Sequence, residues 1–253
     1  MCSRVRARAS LPLPENYFGE DIAAGYDDPD DPMFAPEAID PVVDFLAERA
    51  AGGRALELGI GTGRIALPLA GRGVAVHGID LSEEMVERLR AKPGGDRIPV
   101  TIGDFATTRV DEAFSLAYVV YNTIQNLTTQ DAQVACFENV AAHLEPGGCF
   151  VIEVGVPVLT GEELQIFHHG ERHVGIDEYD VANQGLISHH YTRGADGTYT
   201  YSWGPFRYVW PSELDLMARI AGLTPRERWS GWKGEPFTSE STKLVGVWEK
   251  PGF

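Results

Sequence analysis

The sequence predicts an α/β protein built on a doubly wound, mostly parallel sheet, and two observations carry this prediction. From about residue 37 to residue 155, strand patterns and helix patterns alternate, which is typical of a parallel sheet covered on both faces. After Pro157 the apolar residues alternate in period two between glycine-containing turns. Residues 158–210 are therefore expected to form an antiparallel β-rich insertion after the fifth strand.

The elements of the main sheet can be assigned in order along the chain. Ser82 is expected to cap a helix that has acids in its first turn, and Pro41 predicts a kink or break early in the first helix. After the insertion, a helix is predicted at 211–222, and two final strands close the chain. Before it, strands are predicted at 53–59, 74–82, 98–105, 114–127 and 149–157, and helices at 36–50, 64–73, 83–92 and 129–144.

Composition argues against several classes of function. No run of 18 or more apolar residues is present, so no membrane-spanning helix is predicted, and no secretory signal is recognised at the basic N-terminus. The net charge of −16 argues against nucleic acid or an anionic membrane as a partner, since both need a basic surface. The cysteines, Cys2, Cys136 and Cys149, show no disulfide-scaffold spacing, so we expect a reducing, cytoplasmic location.

The stretch RALELGIGTGRIALPLA ends the first strand in a glycine-rich turn. Gly59, Gly61 and Gly63 follow Glu57 at alternate positions, which lets the backbone turn tightly and lets a ligand lie directly on it. In an open α/β sheet this carboxyl end of the strand is where ligands bind. The turn departs from the dinucleotide fingerprint G-x-G-x-x-G, because Arg64 occupies the position of the third glycine.

The order and spacing of four motifs resemble those of the class I S-adenosylmethionine-dependent methyltransferases. LELGIGTG is similar to the glycine-rich turn of that family, GIDLS to its second-strand motif and GDF to its third-strand motif. HLEPGGCFVIE is similar to the helix–turn–strand that follows the cofactor site. The resemblance extends over nearly the whole chain from about residue 17, and it implies a Rossmann-like sheet, S-adenosylmethionine as cofactor and a small-molecule methyl acceptor.

The resemblance also implies roles for the acidic residues of these motifs. Glu57 and the glycine turn would lie against the methionine part of the cofactor, and Asp80 would bind both ribose hydroxyls. Asp104 would bind the adenine amino group, and the Phe105 backbone would meet the ring nitrogens. The residue types suit these roles, because carboxylates accept hydrogen bonds from hydroxyl and amino groups at about 1.5–3 kcal/mol each.

Other cofactor-site candidates rest on position alone, and each has a plainer explanation. Apolar residues at the adenine position can equally serve core packing. An arginine in the first turn of a helix is often solvent-exposed. Tyrosines of an N-terminal arm can anchor a surface loop. The resemblance implies that residues 1–36 form an arm that covers the cofactor, and that residues 37–253 form the methyltransferase domain. The candidates are Leu81 and Met85 beside the adenine, Arg64 for the cofactor carboxylate, Asn122 beside the transferred methyl group, and Tyr17 and Tyr26 in the arm.

Five of the seven histidines fall in the insertion, and three interpretations of them stay open. In the first, one of His168, His189 and His190 acts as a general base for an oxygen or nitrogen acceptor. In the second, the histidines bind a metal. In the third, they are structural or solvent-facing. A metal site is disfavoured, because adjacent histidines on a strand point to opposite faces. We therefore predict no metal and leave the catalytic residue unassigned.

The aromatic residues of the insertion predict the character of the acceptor. Tyr199, Tyr201 and Trp203 alternate along one strand, and Phe206 begins a second alternating set. Such residues would either roof an apolar pocket for a small aromatic or lipophilic acceptor or form the core between the insertion and the sheet. The acceptor atom (oxygen, nitrogen or carbon) and a homodimeric assembly stay open.

Two other functions are compatible with the same motifs. A protein that binds S-adenosylmethionine without turnover would keep all of them, since they concern binding alone. An NAD-dependent oxidoreductase would also use a βαβ unit followed by an acid such as Asp80, although the glycine spacing argues against it.

Overall fold

Two separate sheets organise the computed structural model, which describes residues 18–28, 31–194 and 196–252. The larger sheet contains β1 (Arg54–Leu58), β2 (Ala75–Asp80), β3 (Val100–Ile102), β4 (Phe114–Val119), β5 (Leu144–Gly155), β10 (Thr224–Trp229) and β11 (Lys243–Glu249). Its strand order is β10-β11-β5-β4-β1-β2-β3. All pairs among β1 to β5 are parallel, and β11 runs antiparallel to both β5 and β10.

The strand order reverses between β1 and β4, which makes this the topological switch point of the sheet. From β1 the chain proceeds to β2 and β3 on one side, and from β4 it proceeds to β5 on the other. Loops that leave β1 and β4 therefore diverge and open a crevice at the carboxyl edge of the sheet. The predicted doubly wound arrangement is confirmed.

Helices cover both faces of this sheet and bury a core on each side. On one face, Val43, Leu46 and Leu89 are completely buried against the strands, and on the other Phe137 and Leu214 are. The helices are α1 (Glu20–Tyr26), α2 (Pro36–Ala50), α3 (Ala66–Gly71), α4 (Glu83–Ala91), α5 (Gln130–His143) and α6 (Pro211–Ile220). Helices α2, α3 and α4 lie on the first face, and α5 and α6 lie on the second. No helix in the described ranges is long and apolar enough to cross a membrane.

Local signals set two of the helix boundaries, and Pro41 does not end the first predicted helix. The Ser82 hydroxyl accepts a hydrogen bond from the Met85 N–H at 3.2 Å, so the predicted N-cap of α4 is confirmed. Thr129 caps α5 in the same way through the Ala132 N–H. Pro41 does not break α2, which is assigned as one helix from Pro36 to Ala50. A proline near the start of a helix removes only one main-chain hydrogen bond, and burial of the later turns outweighs that loss.

The second sheet is the insertion, a meander of four consecutive antiparallel strands. Its strands are β6 (Leu164–His169), β7 (His173–Asp180), β8 (Gly185–Arg193) and β9 (Tyr199–Arg207). This confirms the antiparallel β-rich segment predicted between residues 158 and 210.

The end of β9 is tied to the main domain by one buried arginine. Arg207 is 4 % exposed and donates hydrogen bonds to Gln133 of α5, to Gln184 at 3.0 Å and to Glu213 of α6 at 2.7 Å. The insertion is therefore fixed to the helical face of the sheet at its base.

Candidate active site

A cavity of about 300 Å³ lies at the carboxyl edge of the main sheet, next to the switch point. Its walls come from the N-terminal arm, the loops after β1, β2, β3 and β4, and the end of β9. Residues predicted from the sequence that line it are Tyr26, Gly59, Gly61, Asp80, Leu81, Met85, Asp104 and Phe105. Phe206, one of the aromatic residues expected to roof a pocket, also lines it, and the residues that the sequence reasoning missed are Phe18, Ser82, Thr123, Asn126, Leu127, Thr128 and Pro205.

The three glycines after β1 have positive φ angles and serve different purposes. Gly59, Gly61 and Gly63 have φ angles of +70°, +53° and +79°, which favour glycine over any other residue. A Cβ on Gly59 would lie 2.5 Å from the Thr123 side chain, and one on Gly63 would lie 2.3 Å from Leu89 under the loop. Gly63 therefore serves packing and does not line the cavity, whereas Gly59 and Gly61 do.

Asp80 ends β2 inside the cavity and is held by main-chain donors. Its Oδ2 atom accepts from the Gly61 N–H at 2.6 Å, and its Oδ1 atom accepts from the Ser82 N–H at 2.9 Å. Burial raises the pKa of this carboxyl, and the hydrogen bonds from Ser82, Gly61 and Leu81 oppose that rise. A carboxylate has about four lone-pair positions, so acceptor capacity remains for a ligand.

The loop after β3 brings Asp104 and Phe105 to the same cavity. Asp104 Oδ1 accepts from the Ala106 N–H at 2.8 Å, which fixes the carboxyl in a short turn. The Phe105 carbonyl is already taken by the Asn139 side-chain amide at 2.9 Å. Leu81, which is 56 % exposed, and Met85, which is buried, line the same cavity. These residues form the polar and apolar sides of one slot.

Glu57 is buried in β1 and is not among the described residues that line the cavity. The Tyr118 hydroxyl donates to Glu57 Oε2 at 2.8 Å, and both side chains are buried. Burial raises the pKa of Glu57 to about 8, against the opposing effects of the Tyr118 hydrogen bond and the Arg64 charge. Tyr118 is thus the side-chain partner of Glu57, and the proposed place of Glu57 at the cofactor stays a prediction.

Arg64 borders a second cavity of about 250 Å³ at the same edge of the sheet. Its guanidinium carbon lies 4.2 Å from the centre of the Tyr121 ring and 5.8 Å from that of Phe34, and its Nη1 donates to the Met33 carbonyl at 3.3 Å. The structure thus places Arg64 beside the first cavity and not in its wall. Its proposed contact with the cofactor carboxylate stays a prediction.

Asn122 turns its side chain away from the cavity, toward the end of β5. Its Oδ1 atom accepts from the Gly155 N–H at 2.6 Å. Thr123 and Asn126, on the same 3-10 turn after β4, line the cavity instead. The polar run after β4 indicated in the sequence that this loop lines the cavity. Which of its side chains do so depends on the left-handed conformation of Tyr121 and Asn122.

The described part of the N-terminal arm contributes two aromatic residues to the cavity. Tyr26 lies edge-on to Phe18 and to Phe34, at ring-centre distances of 6.4 and 6.2 Å. Burial raises the pKa of the Tyr26 hydroxyl, whereas the charge of Arg64 lowers it. Tyr17 lies outside the described residues.

The histidines of the insertion lie on its two faces, and no histidine lines the described part of the cavity. His168, His173 and His190 stack in sequence at ring-centre distances of 4.9 and 5.2 Å. Burial, with smaller effects from His173 and His189, lowers the pKa of His190 to about 4. His189 lies on the other face and contacts the Tyr201 hydroxyl at 2.8 Å. Within the described ranges, no group of three or more histidine, cysteine or acidic side chains has a metal-binding arrangement.

Comparison with known proteins identifies the family. Residues 55–148 match the family described as a methyltransferase domain. The CcbJ methyltransferase from Streptomyces caelestis has the same fold, with a TM-score of 0.84, 33 % sequence identity, and alignment over 95 % of this chain and 100 % of that one. The cypemycin N-terminal methyltransferase of a Streptomyces species is 28 % identical over 206 residues, which cover 79 % of this chain and 84 % of that protein.

A further structure with the same fold contains the cofactor. It is SAM-bound CalS10, an amino pentose methyltransferase from Micromonospora echinaspora, with a TM-score of 0.68, 20 % identity, and coverage of 94 % of this chain and 99 % of that one. The NAD-dependent and non-catalytic alternatives are set aside by these findings. The chain belongs to the class I S-adenosylmethionine-dependent methyltransferases and is an enzyme that uses S-adenosylmethionine to methylate an acceptor.

Proposed function

We propose that this enzyme methylates an amine nitrogen of a small metabolite that carries an aromatic or lipophilic group. One observation carries the proposal. A single cavity joins the acidic and glycine-rich wall of the main sheet to a wall of neutral polar and apolar groups from the β4 loop and the insertion. The first wall suits the cofactor, and the second suits an acceptor placed beside it.

The residues of the first wall fit S-adenosylmethionine. Asp80 keeps acceptor capacity that suits ribose hydroxyls, and Asp104 offers an acceptor for the adenine amino group. Leu81 and Met85 would contact the adenine ring. When it is bound, the cofactor supplies an electrophilic methyl group on a sulfonium. Phe18 and Tyr26 support the proposal that residues 1–36 cover this site.

The second wall favours an acceptor that needs positioning more than activation. Thr123, Asn126 and Thr128 offer neutral hydrogen-bonding groups, and Pro205 and Phe206 offer apolar surface. A neutral amine carries its nucleophilic lone pair already, so alignment with the methyl group supplies much of the acceleration. An alcohol would additionally have to transfer its proton to a base during the reaction.

Two relatives support an amine as the acceptor. One is described as an N-terminal methyltransferase and another as an amino pentose methyltransferase, so both descriptions involve a molecule with an amino group. A general base among His168, His189 and His190, and a cytoplasmic location, stay predictions outside this argument.

An acceptor panel of matched pairs tests the proposal. Each aromatic or alkyl amine is paired with the hydroxyl compound of the same skeleton, and S-adenosylhomocysteine formation is measured by mass spectrometry. We expect turnover of amines and a rate at least about 100-fold lower for the paired hydroxyl compounds. Preferred turnover of the hydroxyl compounds would overturn the nitrogen assignment.

A pair of variants tests the position of the acceptor. Asn126→Ala should raise KM for the accepted amine while leaving the Kd for S-adenosylhomocysteine within about twofold, because Asn126 belongs to the second wall. The matched control is Asn183→Ala in a loop of the insertion, which should change neither value. A large loss of cofactor affinity in Asn126→Ala would place the acceptor elsewhere.

A further inference from the structure

Two consecutive residues after β4 adopt a backbone conformation that side chains other than glycine disfavour. Tyr121 and Asn122 have φ angles of +59° and +63°, in the left-handed region, and a tyrosine there is unusual. Among the described residues, this is the one place where two neighbouring non-glycine residues have positive φ angles. Backbone strain of this kind persists where the surrounding contacts impose it, and it is concentrated at functional sites. The contacts that hold this turn therefore matter for function.

Glu153, near the carboxyl end of β5, makes two of these contacts. Its Oε2 atom accepts a hydrogen bond from the Tyr121 N–H at 3.0 Å, and its main-chain carbonyl accepts from the Asn122 N–H at 3.3 Å. The Asn122 side chain accepts in turn from the Gly155 N–H at 2.6 Å, two residues farther along β5. Both left-handed residues are thus fixed to the end of one strand.

The carboxylate of Glu153 is buried, and each of its oxygens has a partner. The residue is 7 % exposed and borders the second cavity. Its Oε1 atom pairs with the Lys243 Nζ atom at 3.0 Å, and the Lys243 side chain is half-exposed. A buried carboxylate without such partners would be costly, so the pairing with Lys243 keeps the charge in place. The Oε2 atom is thereby held where the Tyr121 N–H meets it.

The turn after β4 carries polar residues of the acceptor wall. The 3-10 helix at residues 123–126 follows Asn122 directly, and both Thr123 and Asn126 line the first cavity. A Cβ on Gly59 would lie 2.5 Å from the Thr123 methyl group, so the turn packs closely on the cofactor loop. A shift of the turn would therefore move Thr123 and Asn126 relative to the cofactor.

We propose that Glu153 is a positioning residue for methyl transfer: its carboxylate holds the left-handed turn after β4 and thereby sets where Thr123 and Asn126 meet the acceptor. This inference rests on the proposed function, which assigns those two residues to the acceptor wall. Glu153 is not among the described residues that line the first cavity, so it acts through the turn. Alignment of the acceptor with the methyl group supplies much of the acceleration, so loosening the turn slows the reaction.

Two substitutions of nearly equal size separate the hydrogen-bond acceptor from the charge. Glu153→Gln keeps an oxygen for the Tyr121 N–H but loses the charge that pairs with Lys243, whereas Glu153→Leu loses both. The control is Glu145→Ala, at an exposed position near the other end of the same strand. All three variants should bind S-adenosylhomocysteine with a Kd within about twofold of the wild-type value in calorimetry, which also shows that they are folded.

Hydrogen–deuterium exchange of the S-adenosylhomocysteine complexes tests the turn without any acceptor. Main-chain amides of residues 120–127 should exchange at least about tenfold faster in Glu153→Leu and within about twofold of the wild-type rate in Glu153→Gln and Glu145→Ala. If Glu153→Leu does not bind S-adenosylhomocysteine, Glu153→Asp replaces it, since it keeps the charge and withdraws the oxygen by one C–C bond. Unchanged exchange in the variant used, or an equal increase in Glu153→Gln, would overturn the proposal whether or not the nitrogen assignment holds.

Steady-state kinetics test the consequence for methyl transfer. The probe is the compound of the matched-pair panel that is turned over fastest, amine or hydroxyl, so failure of the nitrogen assignment leaves this test intact. The kcat for that probe should fall at least about tenfold in Glu153→Leu and recover to within about threefold of wild type in Glu153→Gln. Faster exchange of the turn with an unchanged kcat would overturn the positioning role.

Discussion

The seven-stranded sheet and the four-stranded insertion contribute to one cavity, but they build their walls differently. On the side of the main sheet, main-chain geometry shapes the wall: Gly59 and Gly61 have positive φ angles, and Asp80 is held by two main-chain N–H groups. From the insertion, Pro205 and Phe206 are the residues in the described cavity wall. Most other side chains of the insertion contact one another or solvent.

This difference implies that the main sheet binds the cofactor and that the insertion contributes little to cofactor binding. Groups fixed by the backbone give a cofactor a rigid, preorganised site. A peripheral sheet that touches the cavity at one strand end can vary without disturbing that site. Single substitutions should therefore affect cofactor binding strongly on the sheet side and weakly in the insertion.

The largest expected effect is at Asp80. Asp80→Ala removes the proposed acceptor for two ribose hydroxyls and also frees the Gly61 and Ser82 N–H groups. The Kd for S-adenosylhomocysteine should rise at least about 100-fold in calorimetry, at 1.5–3 kcal/mol for each charged hydrogen bond. Asp196→Ala in an exposed turn of the insertion is the control and should bind like the wild type. Unchanged affinity in Asp80→Ala would refute the ribose assignment.

The second effect concerns the connection between the two regions. Arg207→Met leaves Glu213 and Gln133 without their buried cationic partner, so the free energy of unfolding in urea should fall by about 3–5 kcal/mol. Arg193→Met, at an exposed position of the same sheet, should change it by less than about 0.5 kcal/mol. Adding Glu213→Leu to Arg207→Met should recover part of the loss. If Arg207→Met is as stable as Arg193→Met, the insertion is not held by this arginine.

The third effect is a pH dependence of the free energy of unfolding, caused by Glu57 in the main sheet. The pKa of Glu57 is about 8 in the folded chain, above its ordinary value of 4.5, so the folded state binds the extra proton. The resulting stability is fully present below pH 4.5 and is lost as the pH rises through 8. Between pH 6 and pH 9 the wild type should lose on the order of 2 kcal/mol more than Glu57→Gln, which cannot titrate there. Urea unfolding at both pH values measures this, and equal losses in the two proteins would contradict it.

The smallest effect is expected at the histidine stack of the insertion. His190→Ala removes a ring that contacts His173 and Ser188 but does not line the cavity. Its Kd for S-adenosylhomocysteine should stay within about twofold of the wild-type value, measured by the same calorimetry as for Asp80→Ala. A tenfold loss of affinity for S-adenosylhomocysteine would show that the insertion takes part in cofactor binding. The main sheet and the insertion would then not differ in the way proposed.

The edge of the sheet at which each cofactor motif lies was predictable from the sequence. The carboxyl ends of parallel strands meet at one edge, so motifs that follow β1, β2 and β3 had to converge there. Asp80 and Asp104 line the cavity for this reason. By contrast, Asn122 follows β4 and was expected in the cavity, but a left-handed turn directs its side chain to Gly155 and presents Asn126 instead.

The sequence by itself determined the fold class, the insertion and the loops that carry the cofactor motifs, because alternation, glycine spacing and N-caps are local signals. Only the tertiary structure decided which side chains line the cavity. Glu57 is buried against Tyr118, Arg64 borders a second cavity and Phe18 lies in the wall of the first. The alternation of side chains along a strand predicts which residues share a face. Packing against the rest of the chain decides what that face contacts.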